Sequence, residues 1–288
     1  MMGLKRLQAT TAICTAIFCL GVAAGGTAQA QSGAVTLPDK IKDSKTLNIS
    51  VSNDFPPMGY VDPQSKALTG LTTEIVRAIG VSLGVKFELI DVAFPQVFPG
   101  LDSGRFDFVA SSIVDFPARR EKLTHVDYLK TGPQIFTSKA NAASIKEFAD
   151  LCGRSMGYPR YITVYPPILK GVSDTECVAK GKKPIELISS DLPVQIGLQQ
   201  NRYDATMQTI EVVRYLQRTD PGAYVQIGKP LRNWLYGFGF LKGNEQVRDF
   251  VMTGLQRIIA DGTYARILAK YEAADQAVAS ATIDAGEP

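Results

Sequence analysis

The sequence predicts an α/β protein of two lobes, each a mostly parallel sheet flanked by helices. Short runs rich in β-branched and aromatic residues alternate with segments of helical periodicity, the order that produces parallel strands. This alternation restarts after Thr131, which indicates a second lobe. A chain of 288 residues is also long enough to form two modest cores.

Residues 1–30 are typical of a secretory signal peptide. A short basic start precedes an apolar run, and residues 28–30 (Ala-Gln-Ala) provide a small-residue cleavage site. The apolar run is too short and wrongly flanked for a membrane span. Cys19 lacks the small preceding residues of a lipoprotein signal. We therefore expect a soluble periplasmic protein, secreted through a cleaved signal peptide.

The charge balance and the scarcity of metal ligands exclude several classes of function. The formal net charge of +3 includes two basic residues of the signal peptide, so the exported chain is nearly neutral and offers no footprint for nucleic acid. His125 is the only histidine, and no cysteine pair has CxxC spacing. We expect no metal centre and no cofactor, and we expect His125 to pack under a lobe.

Two cysteines remain after removal of the signal peptide. Cys152 and Cys177 form an even pair in an oxidising compartment, which favours a structural disulfide. On the chain-entropy model, closing a loop of this length stabilises the fold by about 3 kcal/mol.

The first lobe begins with a strand–helix–strand–helix–strand series. Its predicted strands are 46–52, 86–90 and 106–110, and its predicted helices are 71–83 and 95–103. Gly84 is a helix stop directly after the longer helix. Ligands bind at the carboxyl ends of such strands, and Phe55, Phe94 and the segment 111–119 all follow strands. We expect all three to face one crevice.

The second lobe repeats this alternation, and the chain then returns to the first lobe. The predicted strands are 134–138, 154–158, 185–188, 204–207 and 225–228, with helices near 144–149, 192–200 and 210–216. An extended run over 234–240 precedes a helical stripe over 247–271 that is interrupted at Asp261-Gly262. The tail, residues 273–288, has few large apolar residues and is expected to fray.

The loop that ends at Arg119 is the best candidate for an anion site. The preceding strand delivers Ser111 and Ser112 to this loop, and Pro117 favours a helix start with free backbone N–H groups. A guanidinium pairs with a carboxylate in bidentate fashion, so Arg119 is a candidate anchor. The alternative is a solvated surface charge, as expected for its neighbours Arg120, Glu121 and Lys122.

Six short motifs occur in an order and spacing that resemble one known family. They are Gly70-Leu71, residues 100–107, residues 117–119, Val126-Asp127-Tyr128, residues 197–204 and residues 261–264. Together they resemble the family 3 extracellular solute-binding proteins, which are periplasmic amino-acid receptors of ABC importers. The cysteine pair is similar to that of a subgroup with one disulfide in the second lobe.

The resemblance implies the type II periplasmic binding protein fold, in which two hinge strands join the lobes and the ligand is enclosed between them. Transferred to this chain, the first lobe comprises residues 31–132 and 232–272, and the second comprises residues 133–231. The tail 273–288 remains flexible. The implied function is capture of a small carboxylate-bearing ligand, an amino acid or a related organic acid, and its delivery to an ABC importer by hinge closure.

The resemblance also implies a set of ligand-binding residues. Arg119 matches the carboxylate-binding arginine of the family, and Phe55 and Phe94 match aromatic positions that flank the ligand. An alternative for both phenylalanines is burial in the lobe core. The other candidates are Asp54, Ser111, Ser112, Phe116, Tyr161, Thr163 and Thr209.

Three departures from the family pattern bear on the ligand. Phe116 replaces a threonine, and Tyr161 with Ile162 replaces a Gly-Thr pair, for which Thr163 can substitute. Thr209 stands where the family places an aspartate that pairs with the ligand's α-ammonium. A buried ammonium without a carboxylate is costly. We therefore expect either an α-amino acid whose ammonium finds another partner, such as Asp54, Glu211 or carbonyl groups, or a ligand without a free amine, which is an organic acid or an amine-modified compound.

Two other classes of function remain as alternatives. Periplasmic cyclohexadienyl dehydratases share this fold, but the carboxylates Glu74, Glu211 and Asp54 fit no catalytic motif, so we do not expect an enzyme. A ligand sensor that addresses a membrane receptor would have the same sequence features. The expected partners are a small carboxylate ligand and an ABC transporter permease, and the expected state is a monomer.

Overall fold

The alternating apolar runs of the sequence form two large sheets, each flanked by helices, and a small three-stranded sheet accompanies them. The structure, a computed structural model, describes residues 36–287. The predicted signal peptide, residues 1–30, lies outside the described residues. Within the described part of the chain, no helix is long and apolar enough to span a membrane.

The element bounds are as follows. The strands are β1 (Thr46–Ser52), β2 (Asp54–Phe55), β3 (Gly59–Val61), β4 (Leu68–Thr69), β5 (Lys86–Val92), β6 (Phe108–Val114), β7 (Leu123–Thr131), β8 (Pro133–Ser138), β9 (Ser155–Pro159), β10 (Glu186–Ser190), β11 (Ala205–Thr209), β12 (Tyr224–Ile227), β13 (Trp234–Leu241) and β14 (Thr282–Ile283). The α-helices are α1 (Leu71–Leu83), α2 (Val97–Asp102), α3 (Tyr165–Glu176), α4 (Val194–Gln199), α5 (Ile210–Thr219), α6 (Glu245–Ala260) and α7 (Thr263–Lys270). Short 3-10 helices occupy Asp39–Ile41, Phe94–Gln96, Pro117–Glu121, Asn141–Ala143, Phe148–Leu151, Val178–Lys180 and Ala274–Gln276.

The predicted α/β class with two sheets flanked by helices is confirmed, but both large sheets are mixed rather than mostly parallel. The first sheet has the order β14-β7-β13-β6-β1-β5, and the second has the order β10-β9-β11-β8-β12. Pairing is parallel within β5-β1-β6 and within β10-β9-β11, which are the βαβ parts of the chain. The remaining pairings of both sheets are antiparallel.

The antiparallel pairings arise where the chain passes between the two sheets. It leaves the first sheet on β7, enters the second on β8, leaves that sheet on β12 and returns on β13. The outgoing and returning strands run in opposite directions, and they pair as β7 with β13 and as β8 with β12. We call these two passages the first crossing (β7 to β8) and the second crossing (β12 to β13). We call the parts around the two sheets the first and second lobes.

The first lobe is organised around β6, whose seven residues are all buried. The ring of Phe108 on this strand stacks on Phe240 of β13, with ring centroids 5.0 Å apart. Helix α1 has the predicted bounds and buries Leu71, Ile75 and Ile79 against this core. Gly84 ends the helix with φ 68°, a left-handed conformation that glycine adopts without steric cost.

Two parts of the second lobe differ from the sequence prediction. The region predicted as a helix near 144–149 contains only short 3-10 helices, because Glu147 and Asp150 cap the turn Phe148–Leu151 reciprocally. Helix α3 was not predicted. Its first turn contains two prolines, which a helix tolerates there because the first N–H groups need no intrahelical partner.

The predicted disulfide is confirmed. Cys152 and Cys177 are bonded, with their Cα atoms 5.4 Å apart. The bond joins the residue that follows the 3-10 helix Phe148–Leu151 to the end of α3. It therefore fixes α3 to the loop that leads into β9.

The tail is ordered rather than frayed, so that prediction is wrong. Strand β14 pairs with β7 at the edge of the first sheet, with Thr282 opposite Asp127. The Ala285 N–H donates to Asp127 Oδ2 at 3.0 Å, and the Gly286 N–H donates to Asp115 Oδ2 at 2.7 Å. Composition alone misses this segment because buried carboxylates hold it, rather than large apolar side chains.

Candidate functional site

A cavity lies between the two lobes. It contains about 660 Å³ of empty space, open solvent included. The first lobe contributes the carboxyl ends of β1 and β6 and the start of β13, and the second lobe contributes the end of β11 and the segment before α3. Its lining residues are Ser52, Asp54, Phe55, Phe94, Ser111, Ser112, Ile113, Val114, Phe116, Arg119, Tyr161, Ile162, Val164, Tyr165, Gln208, Thr209, Trp234 and Tyr236.

The cavity brings together every predicted site residue except Thr163. The turn before α3 presents the neighbouring Ile162 and Val164 instead. The expected hydroxyl substitute at position 163 is therefore absent from this wall. Four aromatic or amide residues of the lining were not predicted: Tyr165, Gln208, Trp234 and Tyr236. Gln208 directly precedes Thr209 at the end of β11, so its place at a strand end could have marked it as a candidate site residue.

Arg119 lies in the 3-10 helix Pro117–Glu121 with its guanidinium at the cavity. The Nη1 atom donates to the backbone carbonyl of Val114 at 2.6 Å. The guanidinium carbon lies 5.1 Å from the ring centroid of Phe116 and 5.5 Å from that of Phe98. These contacts hold the guanidinium in place while leaving other N–H donors for a ligand.

The charge of Arg119 has no carboxylate partner within ion-pair distance among the described residues. Burial lowers its pKa to about 10, with the Asp115 charge opposing that shift, so the group stays cationic at neutral pH. The nearby Asp115 carboxylate is engaged by Arg120, whose Nε and Nη2 atoms each donate to it at 2.7 Å. A shielded cation of this kind is a site for an anionic group.

Arg120 is not the solvated surface charge that the sequence predicted. The Asp115 side chain, its bidentate partner, is fully buried, and the Arg120 side chain is only 25% exposed. Arg120 also donates to the Gly286 carbonyl of the tail. The two adjacent arginines therefore have different roles: Arg120 neutralises a buried carboxylate, and Arg119 faces the cavity.

A local irregularity of β6 exposes Ser111 and Ser112 to the cavity. Pairing with β13 shifts register between Gly237 and Gly239, so β6 bulges over these serines. Ser112 has φ 51°, an uncommon backbone conformation for a serine. Such conformations cluster at ligand-binding sites. The Ser112 hydroxyl lies 2.9 Å from Thr72 Oγ1, an internal bond that fixes the serine side chain.

Aromatic rings form most of the cavity wall and meet across its mouth. Phe94 of the first lobe lies 6.1 Å from Tyr161 of the second lobe, measured between ring centroids. Phe116 packs edge-on against Trp234 at 5.0 Å. Because rings from both lobes take part, part of this wall exists only when the lobes are together.

The floor of the cavity joins Thr209 of the second lobe to Tyr236 of the first. The Tyr236 hydroxyl lies 3.2 Å from Thr209 Oγ1 and 2.7 Å from Glu211 Oε1. Burial and the Glu211 charge raise the pKa of Tyr236 well above its usual value, so the hydroxyl stays protonated. Glu211 itself is buried and does not line the cavity.

Asp54 is the only carboxylate among the lining residues that the structure describes. It lies on the exposed edge of the cavity in β2. Partial burial raises its pKa, with a backbone hydrogen bond opposing the shift. It is the nearest available carboxylate for a ligand cation.

The described residues contain one group with metal-ligand chemistry, and none of its members lines this cavity. Asp115, His125 and Asp284 place ligand atoms within 4.8 Å of one another. Arg120 already supplies a positive charge to Asp115 there, and His125 Nδ1 lies 3.1 Å from Asp115 and 3.2 Å from Asp284. Ion pairing and hydrogen bonding account for this cluster without an ion.

Two lobes, two crossings and a cavity whose described lining contains one cation define a ligand-binding protein of the two-lobed type. Residues 47–274 match the bacterial extracellular solute-binding proteins, family 3. The match spans most of the chain, so this protein belongs to that family.

Relatives of this chain carry several ligand specificities. It is 26% identical to the L-cystine-binding protein TcyA of Bacillus subtilis over 236 residues, which cover 80% of this chain and 82% of the relative. It is 25% identical to the cyclohexadienyl dehydratase of Pseudomonas aeruginosa over 123 residues, 42% of this chain and 44% of that enzyme. Among solved structures, an ancestral arginine-binding protein bound to glutamine is 27% identical with a TM-score of 0.65, covering 79% of this chain and 97% of that structure.

Proposed function

We propose that this protein is a periplasmic receptor that encloses a small carboxylate-bearing ligand between its lobes and delivers it to the permease of an ABC importer. The observation that carries the proposal is the Arg119 guanidinium, which faces the cavity without a carboxylate partner among the described residues. A ligand carboxylate can accept its free N–H donors in bidentate geometry. Relatives named as receptors for L-cystine and arginine support a ligand of this class.

The cavity offers two ways to hold the remainder of the ligand. An α-amino acid could place its ammonium near Asp54, because Thr209 supplies only a hydroxyl on the second-lobe side. Glu211 is not available to the ammonium, since Tyr236 covers it. An organic acid without the amine would avoid the cost of an unpaired ammonium and would rest against Phe55, Phe94, Phe116 and Tyr161.

A thermal-shift screen of amino acids and their deaminated counterparts tests the proposal. A bound ligand stabilises the native state in proportion to the logarithm of its concentration over Kd. We expect compounds with a carboxylate to raise the melting temperature of the wild-type protein. The same compounds should have no effect on the Arg119→Ala variant. If only molecules without a carboxylate stabilise the wild-type protein, the proposed ligand class is wrong.

An enzyme on the same fold is the second candidate. The cyclohexadienyl dehydratase relative favours it, and partial burial shifts the pKa of Asp54 upward, which is the direction that a general acid needs. Against it, the match spans less than half of that enzyme, and neither Glu74 nor Glu211 lines the cavity. Incubation with prephenate or arogenate distinguishes the two. Product formation that is lost in Asp54→Asn would establish an enzyme, whereas stabilisation without turnover supports the receptor.

The remaining features of the proposal concern location and partners. A cleaved signal peptide over residues 1–30 would place the protein in the periplasm, in keeping with its extracellular family. We propose a monomer, because both walls of the cavity come from one chain. Size-exclusion chromatography with light scattering would test that state directly.

A further inference from the structure

Glu211 is a buried carboxylate outside the cavity whose hydrogen-bond partners come from three separate parts of the chain. It lies in the first turn of α5 and is 3% exposed. Its Oε1 atom accepts from the Tyr236 hydroxyl at 2.7 Å. Its Oε2 atom accepts from the Thr131 hydroxyl at 2.9 Å and from Gln276 Nε2 at 3.0 Å.

These partners all belong to the first-lobe side, whereas Glu211 belongs to the second lobe. Thr131 is the last residue of β7, directly before the first crossing. Tyr236 lies on β13, two residues after the second crossing ends. Gln276 lies in the tail and also donates to the Lys130 carbonyl of β7 at 2.8 Å. One carboxylate therefore connects the second lobe to both crossings and to the tail.

The hydrogen-bond donors around this position suit a carboxylate. All three partners donate hydrogen bonds, and an ionised carboxylate is acceptor-only. A glutamine would place an amide NH2 group either against Tyr236, whose hydroxyl would then have to accept, or against Thr131 and the Gln276 amide. No basic side chain pairs with Glu211 within the part of the chain that the structure describes. The N-terminus of α5 and the three hydrogen-bond donors therefore stabilise the buried Glu211 carboxylate.

We propose that Glu211 is a positioning residue that holds the second-lobe wall of the cavity at Thr209 against the first-lobe wall at Tyr236. Thr209 is the N-cap of α5 and precedes Glu211 by two residues. The Tyr236 hydroxyl contacts both residues. Glu211 thus sets the angle between the lobes from behind the cavity, without contacting the ligand.

Distances between spin labels on the two lobes test this role in the ligand-free protein. Val81 on α1 and Leu192 in the second lobe are exposed, and cysteines at these positions can carry the labels. We expect Glu211→Gln to add a population of longer distances that is absent from the unsubstituted protein. Thr131→Val keeps the side-chain shape and removes one donor, so it should shift the distribution in the same direction by a smaller amount.

Glu74→Gln is the matched control. Glu74 also accepts from a tyrosine hydroxyl, that of Tyr271 at 2.6 Å, and from Lys270, but both partners lie in the first lobe. This variant should leave the distance distribution unchanged even if its melting temperature falls. The proposal is overturned if Glu211→Gln and Thr131→Val retain the original distribution, or if Glu74→Gln shifts it equally. Because no ligand is needed, neither outcome bears on the proposed carboxylate ligand.

Discussion

At the residue scale, the function depends on which of two adjacent arginines is neutralised within the protein. Arg120 is held by Asp115 in a bidentate pair, whereas Arg119 faces the cavity. Because the two side chains are identical and adjacent in the chain, the sequence alone does not show which arginine is neutralised. It follows from the 3-10 helix Pro117–Glu121, which points successive residues in different directions.

Replacing Arg119 with alanine should strongly weaken ligand binding. Two charge-assisted hydrogen bonds are lost together, each contributing about 1.5–3 kcal/mol, so Kd should rise by about 100-fold or more. Calorimetric titration with the strongest compound of the screen measures the change. Arg105→Ala removes an exposed arginine of the same lobe and should bind normally. An unchanged Kd in Arg119→Ala would exclude Arg119 as the anchor.

At the element scale, the tail is held to the first sheet by titratable groups. Asp127, which receives the Ala285 N–H and the Thr282 hydroxyl, is fully buried, and its Oδ1 atom has no partner among the described residues. Burial raises the pKa of Asp127 to about 7. Burial also lowers the pKa of the neighbouring His125, with the Asp115 charge opposing that shift.

The stability of the wild-type protein should therefore contain a pH-dependent contribution from Asp127. Its folded-state pKa is above the unfolded value, so the contribution is present below about pH 4 and is lost as the pH rises to about 7. The loss is at most about 4 kcal/mol. Asp127→Asn should show a smaller decrease in the free energy of unfolding between pH 5 and pH 8, measured by urea denaturation.

His125 acts in the opposite direction in the same experiment. Its neutral form is favoured in the folded state, so its contribution is lost as the pH falls below its usual pKa of about 6.5. This contribution is common to the wild-type protein and Asp127→Asn, and the difference between them isolates Asp127. Asp275→Asn, an exposed control in the tail, should retain the wild-type pH profile. Parallel profiles of the wild-type protein and Asp127→Asn would contradict the assigned pKa.

At the scale of the whole molecule, contacts between the lobes flank the cavity. Besides the Phe94 and Tyr161 rings at its mouth, Tyr60 and Tyr215 lie 6.2 Å apart between ring centroids. Arg214 of α5 pairs with Asp275 of the tail through two contacts of 2.7 Å. The ligand can drive closure only through contacts that improve when the lobes meet, and these aromatic pairs are of that kind.

Tyr161→Ala should weaken closure without unfolding either lobe. The side chain is 53% exposed, so its removal leaves no core cavity. An aromatic pair contributes about 0.5–1.5 kcal/mol, so the affinity should fall by roughly 2- to 10-fold. Small-angle scattering should record a smaller ligand-induced decrease in the radius of gyration than in the wild-type protein. Equal decreases and equal affinities would show that this ring pair does not contribute to closure.

Local patterns in the sequence determined several structural features of this protein. Helical periodicity predicted α1 and α6, and the cysteine count predicted the disulfide. Family motifs and strand-end positions predicted nine of the eighteen residues that line the cavity. These features depend on side-chain type at fixed short spacings, which a sequence displays directly.

Only the tertiary structure decided the features that depend on contacts between distant segments. The tail is ordered because Asp127 and Asp115 accept its N–H groups, and Arg120 is internal because it meets a buried Asp115. Glu211 joins segments that lie 80, 25 and 65 positions away from it in the chain. Such hydrogen bonds leave no local signal, because either partner alone has the composition of an ordinary solvated residue.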